Sequence, residues 1–374
     1  MIAPNPGLGE APARIGVVRA LAGLGDMLCT VPALRALRTA YPHAEISLIG
    51  LPWVGAFVDR FSMYLDELVE FPGYPGIAER PYDPARFRSF IEAMHERPFD
   101  AVIQMHGSGL VSNSFAALLS SRVMAGFYLP GQFLPDPARF LPYPAHEPEV
   151  RRHLALMTFL GIQSQGENLE FPITPHDEAG LYELSEAAEL RGGAYACMHP
   201  GASLPERRWA MEGFAEVGDK LARQGLRVVI TGSSEEREIT RSISARMRAP
   251  AIDLAGRTKV GELAALVRDA RVLVCNDTSV SHIAAALGVP SVVVFTHSDP
   301  DRWAPLMRVR HRPVGRPASE ANRCLHDVPS FGHRCLRDGC TARMPLTFAG
   351  SVPTAEDVWA EAERLLAAEW ADAR

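Results

Sequence analysis

An aspartate at a glycine-containing turn is the first residue of this sequence that could do chemistry. Asp26 closes the run Gly23-Leu24-Gly25-Asp26, which follows a short apolar segment and opens a helical one. The glycines permit a tight turn and close approach of the backbone to a ligand, and unpaired amides at a helix start suit an anion. Asp26 can serve as a helix N-cap, which the spacing alone favours, or as a general base beside a ligand.

A second polar loop follows the apolar run that ends at His199. It contains Gly201, Ser203 and Arg207. Amides near the glycine and the serine hydroxyl can line a ligand, while Arg207 and its neighbour Arg208 can hold phosphate oxygens through forked hydrogen bonds. Adjacent arginines are also common as a solvated surface pair, and both interpretations stay open at this point.

A third polar segment covers Asn276 to His282 and also follows an apolar run. Asp277 supplies a carboxylate, and Thr278 and Ser279 put hydroxyls and free amides at a helix start, a pattern suited to phosphate. His282 lies on the first turn of that helix, where a histidine is more often a capping or packing residue than a ligand-binding one.

The elements that carry these loops alternate regularly along the chain. Short apolar or β-branched runs alternate with segments of helical periodicity, which is typical of parallel sheets covered by helices. Strands are predicted at 15–19, 45–49, 67–71, 101–105, 123–127, 195–199, 227–231, 251–254, 272–276 and 291–295, and helices between them, including 27–40, 150–160 and 354–370. The sequence therefore predicts an α/β protein of two doubly wound domains, divided within residues 128–175, with ligands in a cleft at the carboxyl ends of the strands.

The composition excludes several other classes of protein. The 374 residues are 47% hydrophobic and 22% charged, which rules out disordered, collagen-like and coiled-coil proteins. The formal net charge is −6, from 44 acidic and 38 basic residues, so nucleic acid is not an expected partner. No segment has the pattern of a membrane span or a signal peptide, and we therefore expect a cytoplasmic protein.

The six cysteines do not predict a disulfide framework in a chain of this length. Three lie in apolar runs and are expected as buried thiols. Cys324, Cys335 and Cys340 lie near two histidines, at spacings that fit no paired zinc motif. A zinc site, a disulfide and free thiols all remain open there, and free thiols are favoured.

Five segments together resemble glycosyltransferase family 9, which is typified by the ADP-heptose heptosyltransferases of lipopolysaccharide inner-core assembly. Each segment is weak alone, but all five occur in the family's order. They are RxxAGLGDMLCTVPALRALRTAYPHAEI at 19–46, HPGASLPERRWAMEGFAEVGDKL at 199–221, TGSSEE at 231–236, DLAGRT at 253–258 and NDTSVSHIAAALGVPSVVVF at 276–295.

The resemblance implies a GT-B fold, with two Rossmann-like domains and a final helix that crosses back to the first. It assigns residues 1–175 and 355–374 to an acceptor-binding domain and residues 176–354 to a nucleotide-sugar-binding domain. It also implies transfer with inversion and without a metal or other cofactor. The expected donor is an ADP-linked heptose or a related nucleotide sugar.

The resemblance also implies roles for individual residues. Asp26, in the pair Gly25-Asp26, matches the general base, and Ser203 and Arg207 match the residues that bind the donor diphosphate, with Arg in place of the family's Lys. Glu235 or Glu236 matches the acid that binds the ribose. The other expected ligand-binding residues are Gly25, Gly201 and, in a segment where Ser279 replaces the usual Gly, Asp277, Thr278, Ser279 and His282.

Two other kinds of protein remain as alternatives. A nucleotide-sugar-binding protein without transfer activity would have no use for a carboxylate at Asp26, and a GT-B epimerase would need further acids that the sequence does not place. The run Asp299-Pro300-Asp301 has the form of a metal-binding Asp-x-Asp. It falls where the family has a polar loop, so no metal is expected there.

The charge of the first half bears on the acceptor. Residues 1–178 contain 13 Arg, no Lys and 19 acidic residues. An inner-core lipopolysaccharide acceptor is phosphorylated and carboxylated, and its binding domain should present a basic surface. We therefore expect a small-molecule or natural-product acceptor that is neutral or cationic, with a lipopolysaccharide core heptosyltransferase as the alternative. A monomer or a weak homodimer is expected.

Overall fold

The computed structural model of the chain describes residues 7–9, 11–191, 194–315 and 352–372. Contacts divide these residues into two compact units, with the boundary between Glu167 and Asn168. The first unit lies within residues 1–167, and the second comprises 168–315 and 352–372. The resemblance to the family implies a division after residue 175, a few residues later than this boundary.

The first unit is built on a six-stranded parallel sheet. Its strands are β1 (Arg14–Val18), β2 (Glu45–Gly50), β3 (Glu67–Glu70), β4 (Phe99–Gln104), β5 (Ser121–Tyr128) and β6 (Phe140–Pro142). The strand order is β3-β2-β1-β4-β5-β6. All five residues of the central strand β1 are buried, which is typical of a parallel strand covered on both faces.

The helices of the first unit include one difference from the prediction. They are α1 (Leu24–Leu28), α2 (Val31–Ala40), α3 (Gly55–Arg60), α4 (Pro84–Glu96), α5 (Ser112–Ala116) and α6 (Glu149–Phe159), with a 3-10 turn at Pro52–Val54. The single helix predicted at 27–40 is two helices. Pro32 has no N–H to donate to the carbonyl of Leu28, so the helix restarts at Val31 with Pro32 in its first turn.

The second unit repeats the architecture. Its strands are β7 (Tyr195–His199), β8 (Arg227–Ile230), β9 (Ala251–Asp253), β10 (Val272–Asn276), β11 (Ser291–Val294) and β12 (His311–Val314). They form a parallel sheet in the order β12-β11-β10-β7-β8-β9. The helices are α7 (Pro175–Tyr182), α8 (Ser185–Ala188), α9 (Met211–Arg223), α10 (Arg237–Arg246), α11 (Val260–Arg268), α12 (Ser279–Ala286), α13 (Pro300–Trp303) and α14 (Ala355–Asp372), with 3-10 turns at Pro205–Arg207 and Ser234–Glu236.

All ten predicted strands form, and the described residues contain two further strands that the sequence does not predict. The two are β6 and β12, which lie at the edges of their sheets. Each is three or four residues long and contains a proline. An edge strand tolerates a proline because one of its sides needs no hydrogen-bond donor, whereas a sequence pattern with proline argues against a strand.

The last helix packs on the second sheet. Val358, Trp359, Ala362, Leu365 and Leu366 of α14 join the hydrophobic core that α9 forms with β7, β8 and β10. The contacts accordingly place residues 352–372 in the second unit. The structure therefore differs from the expectation that residues 355–374 belong to the first domain, because the apolar face of the helix is already filled by the second core.

Candidate active site

Both sheets have a topological switch point, which is where doubly wound sheets bind ligands. Counted from its own first strand, each sheet has the order 3-2-1-4-5-6, so the strand order reverses between the parallel neighbours β1 and β4 and again between β7 and β10. The Asp26 turn follows β1, the loop with Arg207 follows β7, and the segment with His282 follows β10. The three loops selected from the sequence therefore all lie at switch points.

Asn276, the last residue of β10, joins two loops of the second unit. Its side chain is fully buried, and both the nitrogen and the oxygen of its amide make hydrogen bonds. The amide Nδ2 donates to the carbonyl of Pro200 at 2.7 Å, and Oδ1 accepts from the backbone N–H of Trp209 at 3.0 Å. One side chain thus fixes both ends of the loop from Pro200 to Trp209. The indole of Trp209 is held in turn by the carbonyl of Pro353 at 2.8 Å.

Arg207 lies in that loop with its guanidinium beside the start of the next one. Nη1 lies 3.8 Å from Oδ2 of Asp277, and the Arg207 side chain is 20% exposed. The same Asp277 oxygen accepts a hydrogen bond from the hydroxyl of Ser298. The Nε of Arg207 is buried and has no hydrogen-bond partner among the described residues. An unsatisfied buried donor on a cation is costly, and an anionic ligand would relieve that cost.

Gly201 is needed because a carboxylate occupies the space where a side chain would be. A Cβ built on Gly201 would lie 2.2 Å from both carboxylate oxygens of Glu236. Oε2 of Glu236 also accepts from the backbone N–H of Ser233 at 2.8 Å, which completes a capping box. Glu236 is therefore held against the loop after β7, whereas Glu235 is exposed beside it.

Glu235 and His199, two further polar residues of this edge, both have lowered pKa values. Hydrogen bonds from its own backbone amide and from Ser233 and Ser234 lower the pKa of Glu235. Burial lowers the pKa of His199, although the neighbouring Glu236 opposes the shift. Nδ1 of His199 lies 2.9 Å from the hydroxyl of Thr231. We infer a neutral imidazole at the end of β7.

Helix α12 begins at this edge without a side-chain cap. Thr278 is its N-cap residue, with extended backbone angles, and its hydroxyl makes no capping hydrogen bond. Thr278 and Ser279 are half-buried, whereas His282 is buried on the first turn. Ser281 donates from its hydroxyl to the carbonyl of Thr278 at 2.8 Å. The first amides of the helix are thus left to bind an anion. Ser203 is exposed on the loop that contains Arg207.

In the first unit, Asp26 is the third residue of α1 and not its N-cap residue. Gly23 is the N-cap residue, and Gly25 is buried. A Cβ on Gly23 would lie 2.3 Å from Oδ2 of Asp26, so the carboxylate lies over the glycine. Asp26 is half-buried, and its backbone carbonyl accepts from Arg19 at 2.8 Å. Because Asp26 is not the N-cap residue, the capping interpretation is wrong.

Several expectations concern metals, thiols and membranes. The described residues contain no cluster of three or more His, Cys, Asp or Glu with metal-binding geometry, and no described helix is long and apolar enough to span a membrane. The side chain of Asp299 accepts from the amide of Asp301 and caps α13. Cys324, Cys335 and Cys340 lie outside the described residues.

Comparison with known proteins decides the family. The family model described as glycosyltransferase family 9 (heptosyltransferase) matches residues 87–333. The chain belongs to glycosyltransferase family 9. It is 26% identical over 303 residues to lipopolysaccharide heptosyltransferase 2 of Salmonella typhimurium, an alignment that covers 76% of this chain and 83% of the relative.

Two solved structures show the fold of this glycosyltransferase. A family 9 glycosyltransferase from Veillonella parvula aligns with a TM-score of 0.73 and 20% identity, over 95% of this chain and 98% of that one. The ADP-heptose lipopolysaccharide heptosyltransferase II of E. coli aligns with a TM-score of 0.66 and 20% identity, over 95% and 99%. The chain has the GT-B fold that the sequence predicts.

In this glycosyltransferase, Asn276 holds the loop that contains Arg207, a role that the motifs do not predict. The fold gathers Gly201, Arg207, Asp277 and the start of α12 at one edge of the second sheet, as the motifs predict. Asn276 was quoted within a motif but given no role. The only available indication was its place at the end of a buried strand, where a fully buried polar side chain needs partners.

Proposed function

We propose that this glycosyltransferase moves a heptose from an ADP-activated donor to an acceptor hydroxyl, with inversion and without a metal. The family match and the heptosyltransferases among its relatives support the sugar. The observation that carries the donor site is the buried Nε of Arg207, which has no partner among the described residues and lies beside the start of α12.

Departure of the ADP group requires positive charge that is already in place. As the bond between the anomeric carbon and the diphosphate oxygen breaks, its electron pair stays on the diphosphate. Arg207 and the amides at the start of α12 would meet that charge, because preorganised donors stabilise a developing anion without reorganisation. Nη1 of Arg207 lies 3.8 Å from Oδ2 of Asp277, and Ser203, Thr278, Ser279 and His282 complete the proposed phosphate site. Either Glu235 or Glu236 would bind the ribose, and the contact of Glu236 with Gly201 supports Glu236.

Asp26 would act as the general base for the acceptor. Its carboxylate takes the proton of the acceptor hydroxyl while that oxygen attacks the anomeric carbon from the face opposite the diphosphate. One bond forms as the other breaks, so the anomeric configuration inverts. The position of Asp26 on α1, at the switch point of the first sheet, supports this role.

Replacement of the base tests the mechanism. Asp26→Asn keeps the size of the side chain but cannot accept the proton, so we expect the rate of transfer to fall by about 100- to 10,000-fold while ADP affinity stays unchanged. Asp59→Asn, on an exposed turn of α3, is the matched control and should keep the wild-type rate. Turnover of Asp26→Asn at half the original rate would remove Asp26 from the mechanism. A wild-type protein that binds ADP-heptose but transfers to no acceptor would favour the binding-protein alternative.

The acceptor is proposed to be a small molecule that is neutral or cationic. The four arginines closest to Asp26 in sequence are engaged within the first unit. Arg14 contacts Glu45 and Glu67, Arg38 pairs with Asp66, Arg35 donates to the carbonyl of Gly166, and Arg19 is buried. Most donors of these side chains are therefore used within the first unit, and a strongly anionic acceptor would find little free basic charge there.

Transfer to two acceptors at two salt concentrations tests this proposal. We expect faster transfer to uncharged glycosides than to a Kdo–lipid A analogue, with little dependence on salt. Efficient transfer to the Kdo–lipid A analogue that weakens with added salt would instead support a lipopolysaccharide core heptosyltransferase. A cytoplasmic location and a monomer or weak homodimer stay predictions from the sequence.

A further inference from the structure

The side chain of Arg19 connects the proposed base to the centre of the first sheet. Arg19 follows the last residue of β1 and is 1% exposed. Its Nη1 donates to the carbonyl of Met105, just after β4, at 2.7 Å. Its Nη2 donates to the carbonyl of Asp26 at 2.8 Å. One planar guanidinium thus ties the backbone of Asp26 to the ends of the two strands that flank the switch point.

A second buried arginine, Arg152, contacts the same carboxylate as Arg19. Nη2 of Arg19 lies 3.4 Å from Oε1 of Glu149, whose other oxygen accepts from Arg152 at 2.6 Å. His153 lies 3.2 Å from the same carboxylate. Arg152 also donates to the hydroxyl of Tyr143 and to the backbone carbonyls of Pro144, Ala145 and Glu147. Glu149 is thus shared by two arginines, and Arg19 is the one that donates to the carbonyl of Asp26.

Helix α1 needs such an anchor because it is very short. It has five residues, and its N-cap residue is Gly23, which has no side chain to cap the helix. A helix of this length has little stability of its own, so tertiary contacts must set its position. The fork of Arg19 provides two fixed donor directions that a flexible side chain would not.

We propose that Arg19 is a positioning residue that holds Asp26 in the orientation required for proton transfer. This inference rests on the proposed function, since it requires Asp26 to be the base. The buried ion pair of Arg19 and Glu149 contributes less to stability than a well-packed apolar pair can, because both charges lose their hydration. What the arginine adds is a fixed location for the Asp26 backbone, and a displacement of about 1 Å at a reacting group can lower a rate by about 100-fold.

The test compares two matched substitutions that both keep the buried positive charge. Arg19→Lys loses the fork between Met105 and Asp26. Arg152→Lys is an equally buried control, whose fork binds Glu149, Tyr143 and nearby backbone carbonyls. Transfer is followed as ADP release from ADP-heptose, with uncharged glycosides and the Kdo–lipid A analogue as acceptors. We expect Arg19→Lys to lower kcat by roughly 100-fold with unchanged ADP affinity, and Arg152→Lys to stay within about threefold of the wild type.

A double-mutant cycle with Asp26→Asn separates positioning from a general loss of structure. If Arg19 acts through Asp26, Arg19→Lys should cause almost no further loss in the Asp26→Asn background. An equal fractional loss in both backgrounds, or a wild-type rate for Arg19→Lys, would overturn the inference while leaving the base assignment intact. An active Asp26→Asn enzyme would instead overturn the proposed function.

Hydrogen–deuterium exchange gives a second readout that needs no substrate. The amides of residues 25–30 should exchange faster in Arg19→Lys than in the wild type or in Arg152→Lys, because α1 has lost its tether. Unchanged exchange of this segment in Arg19→Lys would contradict the positioning role, whatever the activity.

Discussion

The hydrogen bonds of Asn276 predict a coupled loss of stability and donor binding when its side chain is removed. Asn276→Ala leaves two buried backbone groups without partners, the carbonyl of Pro200 and the amide of Trp209. An unsatisfied buried polar group costs about 1 to 3 kcal/mol, so the free energy of unfolding of the second unit should fall by about 3 kcal/mol or more. The loop that carries Arg207 is then released at both ends, and ADP affinity should fall by about tenfold or more.

Urea unfolding and titration calorimetry with ADP measure the two effects. The matched control is Asn113→Ala in the first unit, where a buried asparagine donates to the carbonyl of Phe127 at 2.9 Å. That substitution should lower stability by a similar mechanism and leave ADP affinity unchanged. An Asn276→Ala protein with wild-type stability and wild-type ADP affinity would refute the argument that this side chain holds the donor loop.

Two further predictions concern the donor site and the buried histidines. Arg207→Ala should weaken ADP binding by about 1.5 to 3 kcal/mol, since a charge-assisted hydrogen bond is lost, and calorimetry with ADP, GDP and UDP would also identify the preferred base. Unchanged ADP affinity would exclude Arg207 from the site. Burial lowers the pKa of His106 to about 3 and of His153 to about 4, and Arg19 adds to both shifts. The unfolded chain therefore binds more protons than the folded one between about pH 4 and 6.5, so stability should fall by about 2 kcal/mol per histidine between pH 7 and 5. Urea midpoints at the two pH values check this, and His153→Gln should reduce the slope; equal midpoints would contradict it.

The strands were predictable where burial alone determines the sequence pattern. Central strands such as β1, β4 and β10 lie between helices, so they appear as short apolar runs with sharp limits. The edge strands β6 and β12 are short and contain proline, and only their pairing with a neighbouring strand defines them. Likewise, the apolar face of α14 was predictable, but its packing partner was not, because a stripe of apolar residues does not specify the sheet that covers it.

The site could be predicted only as far as local motifs extend. Asp26 and Arg207 each lie in a loop whose composition suggests chemistry. The groups that hold them lie far away in sequence: Arg19 meets Glu149 across 130 positions, and Asn276 meets Pro200 across 76. Such partners become neighbours only through the strand order, in which β7 lies beside β10. Before that order is known, a buried arginine or asparagine has no identifiable partner.

The motif glycines Gly23 and Gly201 are needed for a reason that differs from the one their turns suggest. Glycines in such turns suggest backbone angles that other residues avoid, yet neither Gly23 nor Gly201 has a positive φ. Each is required because a carboxylate fills the position of its missing Cβ: Asp26 over Gly23 and Glu236 over Gly201. An added methyl group at either position would displace an acid that we assign to base catalysis or to the donor site. The glycine and the acid of each pair therefore form one unit, in which the absence of a side chain sets the place of the carboxylate.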